Sequence, residues 1–144
     1  MYEKILLPTD GSDGMGEVIA HAASLADVHD ATLYALYVVN TASLNDLPLE
    51  SSWDGLRRAL EREGDVALND VEQQVGDVTL HTESVEGPPG KEIVRYADEH
   101  DCDVIVMGTH GRSGFDRLLL GSVAERVVRS SNVPVLTIPV TTES

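Results

Sequence analysis

The chain of 144 residues is short of cysteine, of lysine and of long apolar runs. Its single cysteine, Cys102, has no partner for an intramolecular disulfide. That excludes a disulfide-stapled scaffold and fits a reducing cytoplasm. Lying just before an apolar run, Cys102 reads as an inert structural thiol. Lysine occurs only as Lys4 and Lys91, and 10 Lys+Arg against 25 Asp+Glu leave a formal net charge of −15. Such self-repulsion excludes nucleic acid and anionic membranes as general partners. The longest early apolar stretch, Ile5-Leu6-Leu7, is too short for a signal peptide or a membrane span.

What is present is regular alternation. Lys4-Ile5-Leu6-Leu7-Pro8 reads as a short buried strand that ends in the turn Thr9-Asp10-Gly11-Ser12. Val18, Ile19, Ala22, Ala23 and Ala26 follow at helical spacing, and Thr32 to Val39 is a second continuous apolar run. Asn40 to Ser52 shows no period and reads as a loop. Leu56, Leu60, Ala67, Val71 and Val75 mark one face of a long helix, and Val78 to Val85 alternates weakly, as an edge strand does. Gly87-Pro88-Pro89-Gly90 reads as a rigid turn before a short helix from Lys91 to Glu99. Two further strands flank the last helix, one opening at Asp103 and one spanning Val133 to Pro139. These periodic apolar faces also exclude an acidic disordered chain. The acidic surface suits a high-salt cytoplasm, where counterions screen the repulsion.

The pattern β-α-β-α-β-α-β-α-β over residues 1–144 predicts one α/β domain. It is an open five-stranded parallel sheet, order 3-2-1-4-5, with helices on both faces. In such sheets ligands bind beyond the carboxyl ends of the strands, where strand order reverses. That rule brings Asp10 beside Gly108.

The stretch from Asp103 to Asn132 carries the strongest signal. Val104-Ile105-Val106-Met107 reads as a buried strand, and Gly108, Gly111, Gly114 and Gly121 follow it. Val123, Ala124, Val127 and Val128 then mark a helix, with Ser122 as its expected N-cap. Glycines let a backbone approach a phosphate, and the N–H groups of a first helical turn point at it. Arg112 and Arg117 add cations on the same loop. No Lys follows these glycines, so this is not a Walker A loop. Gly111-Arg112-Ser113-Gly114-Phe115 lacks the final glycine of a nucleophile elbow.

The spacing Gly108-x2-Gly111-x9-Gly121-Ser122 resembles the G-2x-G-9x-G-[ST] pattern of ATP-binding universal stress proteins. KILLPTDGS at the start and DVIVMGTHGRSGFDRLLLGSVAERVVRSSNVPVLTIP near the end are similar to that family along nearly the whole chain. The resemblance implies an adenine-nucleotide alpha-hydrolase-like fold and a bound ATP accompanied by Mg²⁺ or Mn²⁺. It implies that Pro8, Thr9 and Asp10 lie against the nucleoside, with Asp10 reaching ribose or a metal. Val39 would offer backbone groups to adenine and Met107 would line the base pocket. Gly108, Gly111, Gly121, Ser122 and Val123 would hold ribose and phosphates, and Arg112 would reach a phosphate or stand on the surface. It also implies a homodimer through the strand Val135 to Ile138.

Bland readings stand beside these. Asp10 is also a good turn residue, His110 a solvent-facing histidine, and Trp53 a packing residue at a loop–helix junction. Three function classes follow: an ATP-binding regulatory module of the stress response with an unknown downstream protein, a slow metal-dependent adenine-nucleotide hydrolase, and a nucleotide-free interaction protein. The place after the first strand reads Thr9-Asp10-Gly11-Ser12-Asp13-Gly14, not the S-G-G-x-D-S of an ATP pyrophosphatase. No general base besides Asp10 stands out, so the regulatory module is preferred.

Overall fold

A computed structural model describes residues 1–40, 51–109 and 120–140. Its elements in order are β1 (Lys4–Thr9), α1 (Met15–His29), β2 (Thr32–Val39), α2 (Ser51–Gln74), β3 (Leu80–Glu86), α3 (Pro89–Glu99), β4 (Val104–Gly108), α4 (Ser122–Ser130) and β5 (Val135–Ile138). The strands form one sheet in the order β3-β2-β1-β4-β5, and every neighbouring pair is parallel. Both the five-stranded sheet and its order match the expectation from the alternating pattern.

The three central strands β1, β2 and β4 read as largely apolar runs because both of their faces are covered. Ile5, Leu7, Val104 and Val106 point into one core with Val18, Ile19 and Ala22 of α1, Val71 of α2 and Val75 just beyond it. Leu6, Ile105 and Met107 point the other way, onto Ile93, Tyr96 and Ala97 of α3 and Ala124 and Val127 of α4. Successive side chains therefore serve opposite cores, the period of two that a strand imposes.

Two glycines set helix positions. A Cβ at Gly64 would lie 2.6 Å from Cδ2 of Tyr37, so α2 seats its backbone against that ring. A Cβ at Gly90 would lie 2.6 Å from Cγ of Arg126, which lets α3 and α4 pack closely. At the opposite end of the sheet, Asp103 Oδ2 accepts the N–H groups of Glu3 at 2.8 Å and Lys4 at 2.9 Å. This ties the start of β1 to the start of β4 across about a hundred residues.

Some boundaries differ from the sequence reading. Helix α3 begins at Pro89, because Pro88 is extended at the N-cap and Pro89 occupies the first turn, where a missing N–H costs nothing. Only Gly87 and Pro88 remain as the turn. Helix α2 begins at Ser51, inside the stretch read as a loop, and β5 is confined to Val135–Ile138.

Candidate functional site at the sheet switch point

Strand order reverses between β1 and β4, which pair in the register Ile5↔Val104 and Leu6↔Ile105. Beyond their carboxyl ends lies a cavity of ≈ 570 Å³. That volume falls within the usual range for small-molecule sites. Pro8 and Thr9 enter it from β1, Asp10 from the turn that follows, and Met107 and Gly108 from β4, while Gly121, Ser122, Val123 and Ala124 enter from the start of α4. The register thus brings together residues about a hundred positions apart, as the topological rule requires.

The β1 lip is held by side chain to backbone bonds. Ser12 N–H donates to Asp10 Oδ1 at 2.9 Å, and Gly11 N–H donates to Thr9 Oγ1 at 3.1 Å. Gly11 has φ 75, the left-handed conformation that glycine tolerates at no steric cost. Asp10 therefore does act as a turn residue, and it lines the cavity as well.

The β4 lip is closed by Thr109. Its N–H donates to Ile138 O at 3.0 Å, and its carbonyl accepts Gly121 N–H at 2.7 Å. The second bond joins the end of β4 to the start of α4. Gly121, not Ser122, is the N-cap of α4: its backbone is extended (φ −63, ψ 160) and its carbonyl accepts Glu125 N–H at 2.9 Å. Ser122 is the first helical residue. The N–H groups of Ser122, Val123 and Ala124 have no acceptor among the described residues. Such first-turn N–H groups, at the positive end of the helix dipole, make an anion-facing edge.

The remaining walls supply apolar surface and one further carboxylate. Leu36 and Val38 of β2, Pro89 and Ile93 of α3 and Met107 form the apolar side. Met15, Tyr37, Asn40, Leu60 and Glu63 complete the lining. Val39 is not among the lining residues. It is 1% exposed in a core with Tyr37 and Ala67, and its carbonyl accepts Gly87 N–H at 3.0 Å. Leu36, Tyr37 and Val38, from both faces of β2, line the cavity at its carboxyl end. Gly111, Arg112, Gly114, His110 and Arg117 lie outside the described residues.

Among the described lining residues there is no lysine or arginine, and the carboxylates are Asp10 and Glu63. No group of three or more His, Cys, Asp or Glu able to hold a metal ion occurs among the described residues. The clear titration shifts lie elsewhere: burial pushes the Cys102 thiol up to about 11, which keeps it a poor nucleophile. Tyr96 is also raised, by burial and by its hydrogen bond to Glu83 at 2.9 Å.

Sequence reading alone missed Glu63, Tyr37, Pro89, Ile93 and Thr109 as lining residues. Leu60 and Glu63 sit three apart on α2, a spacing that shares a helix face, but charged residues on that helix read as a solvated face. Gly64 was the available signal, because glycine inside a helix calls for a close neighbour.

The sequence model of the universal stress protein family matches residues 1–139. Over 140 residues the chain is 45% identical to universal stress protein MJ0531 of Methanocaldococcus jannaschii, covering 96% of this chain and 82% of that protein. Its fold superposes on the solved structure of MJ0577 from the same organism with a TM-score of 0.87 and 29% identity, covering 99% of each chain. A universal stress protein crystallised in complex with cAMP aligns with a TM-score of 0.69 and 26% identity, covering 95% of this chain and 96% of that one.

Proposed function

Since this chain belongs to the universal stress protein family, we propose that it is an ATP-binding regulatory module that works as a homodimer in a stress response. The observation that carries this reading is the cavity itself, where an apolar side, a glycine-lipped helix start and the Asp10 carboxylate converge at the switch point. Leu36, Ile93 and Met107 provide apolar surface for an adenine ring. The Ser122 and Val123 N–H groups donate to phosphate oxygens, and Gly108 and Gly121 leave room for the phosphates to approach. The complex of a relative with cAMP supports an adenine nucleotide in a cavity of this fold.

A triphosphate placed near Asp10 and Glu63 needs its charge reduced. Mg²⁺ or Mn²⁺ arriving on the phosphates does this, and Asp10 is the β1 carboxylate within reach of such an ion. Turnover should fall well below the enzyme median of ~10 s⁻¹. The edge strand β5 presents unpaired backbone groups and a 42% exposed Leu136, which supports antiparallel pairing with the same strand of a second copy. No described helix is long and apolar enough to cross a membrane.

Nucleotide released by heat from the purified protein, followed by calorimetric titration of ATP with Mg²⁺, tests the reading. Gly121→Val places a branched side chain where phosphate approaches and should abolish binding with the fold intact. Asp10→Ala should weaken it by about 1–3 kcal/mol, the worth of one polar contact left unmade. Unchanged affinity in Gly121→Val would move the phosphates elsewhere.

A further inference from the structure

The ladder between β1 and β4 pairs only Ile5 with Val104 and Leu6 with Ile105. On its other side β1 stays paired with β2 as far as Thr9 and Tyr37. The crevice opens because β4 parts from β1 after Leu6, so their pairing does not set the distance from the Asp10 turn to the Gly108 lip. The chain just past β5 spans that gap. Strand β5 ends at Ile138, and Pro139 follows with no N–H to extend the ladder. Val140 N–H then donates to Thr109 Oγ1 at 3.3 Å, on the β4 side. The Val140 side chain fills the space beside Gly14, the N-cap of α1, where a Cβ would stand 2.0 Å from Val140 Cγ1. Val140 is buried there, in the same core as Met15 and Ile138. The Asp10 turn is closed on itself, since Ser12 N–H donates to Asp10 Oδ1 and Met15 N–H donates to Ser12 O at 3.1 Å. Whatever holds Gly14 in place therefore holds Asp10 as well.

We infer that Val140 is a positioning residue of the site: it braces the Asp10 turn against the β4 lip and so fixes the width of the crevice between them. This rests on the nucleotide reading above, in which Asp10 reaches ribose or the metal. Val140 does not line the cavity, so it acts through its neighbours Gly14 and Thr109. The residue type matters on both sides of the contact. A side chain at position 14 displaces Val140, and a shorter one at position 140 leaves Gly14 unsupported, because a packed core has no spare volume to absorb either change.

Calorimetry with ATP and Mg²⁺ on wild type, Gly14→Ala, Val140→Ala and the double variant decides it, at a temperature where melting curves show each chain folded. Gly14→Ala should weaken binding about 10-fold, no more than the loss of the Asp10 contact itself. Val140→Ala should weaken it less. In the double variant the Cβ added at position 14 stands 3.3 Å from the Cβ at position 140, a close contact without overlap, and most of the lost affinity should return. In an Asp10→Ala background Gly14→Ala should cost nothing further, because its effect runs through Asp10; general loosening would add to the loss instead. If Gly14→Ala does not fold, Val140→Ala alone and together with Asp10→Ala makes the same comparison. Wild-type affinity in both single variants, a loss that adds to that of Asp10→Ala, or a double variant as weak as Gly14→Ala overturns this inference and leaves the nucleotide reading standing. Failure of wild type to bind any adenine nucleotide overturns both.

Discussion

Asp103→Ala should cost this protein about 2–3 kcal/mol, and the loss should fade in acid. Asp103 Oδ2 accepts two backbone N–H groups, from Glu3 at 2.8 Å and Lys4 at 2.9 Å, and its own N–H donates to Lys4 O at 2.8 Å. Only the two side-chain bonds are lost on truncation. Each hydrogen bond to a charged group is worth ~1.5–3 kcal/mol. Both lie at a partly solvated sheet end, which draws the sum to the low end of that range. The backbone N–H groups of Glu3 and Lys4 hold the Asp103 carboxyl below the usual carboxylate range. A depressed folded value means the stabilisation is complete above the unfolded value of ~3.9 and is lost as pH falls through the folded one. Urea unfolding of wild type and variant from pH 7 down to pH 3 measures the difference, in which titrations common to both cancel. At neutral pH the melting temperature should drop by about 4–12 °C, given ~2–4 °C per kcal/mol at this size. Asp103→Asn keeps a neutral acceptor and should lose about half as much. A difference under ~0.5 kcal/mol at pH 7 is the level of an ordinary surface change. Such a value, or a larger one that stays constant down to pH 3, would refute the clamp.

Two further outcomes are expected. In high salt, sedimentation should give a dimer for the wild type and a monomer for Leu136→Lys, since a lysine on the exposed β5 position opposes strand pairing; a monomeric wild type would remove the dimer, and a dimeric variant would move its interface. Rising KCl should raise the melting temperature, because a net charge of −15 is screened more strongly as the Debye length shortens; a flat response would sink the salt-adapted reading of the surface.

The local chemistry of the chain was legible in the residues. Runs such as Ile5-Leu6-Leu7 and Val104-Ile105-Val106-Met107 read as strands buried on both faces because neither run alternates with polar residues. The separating helices announced themselves by their apolar spacing, and five strands with four intervening helices leave little choice but a parallel sheet. The glycine spacing from Gly108 to Gly121 marked one lip of the site, and Asp10 with its turn marked the other.

Other features depended on how the elements meet. Whether Ser122 or Gly121 caps α4 turned on the extended backbone at Gly121 and on its bond to Thr109 O. That Leu36, Tyr37 and Val38 all line the cavity turned on the register of β2, which sets Tyr37 beside Thr9 at the end of β1. Glu63 looked like one more charge on a solvated helix face. It lines the cavity because Gly64 lets α2 rest on Tyr37, 27 residues earlier in the chain. Strand period and turn chemistry act between near neighbours and are written along the chain. Register and helix seating are settled by contacts between residues tens to a hundred positions apart, and only the folded sheet brings those together.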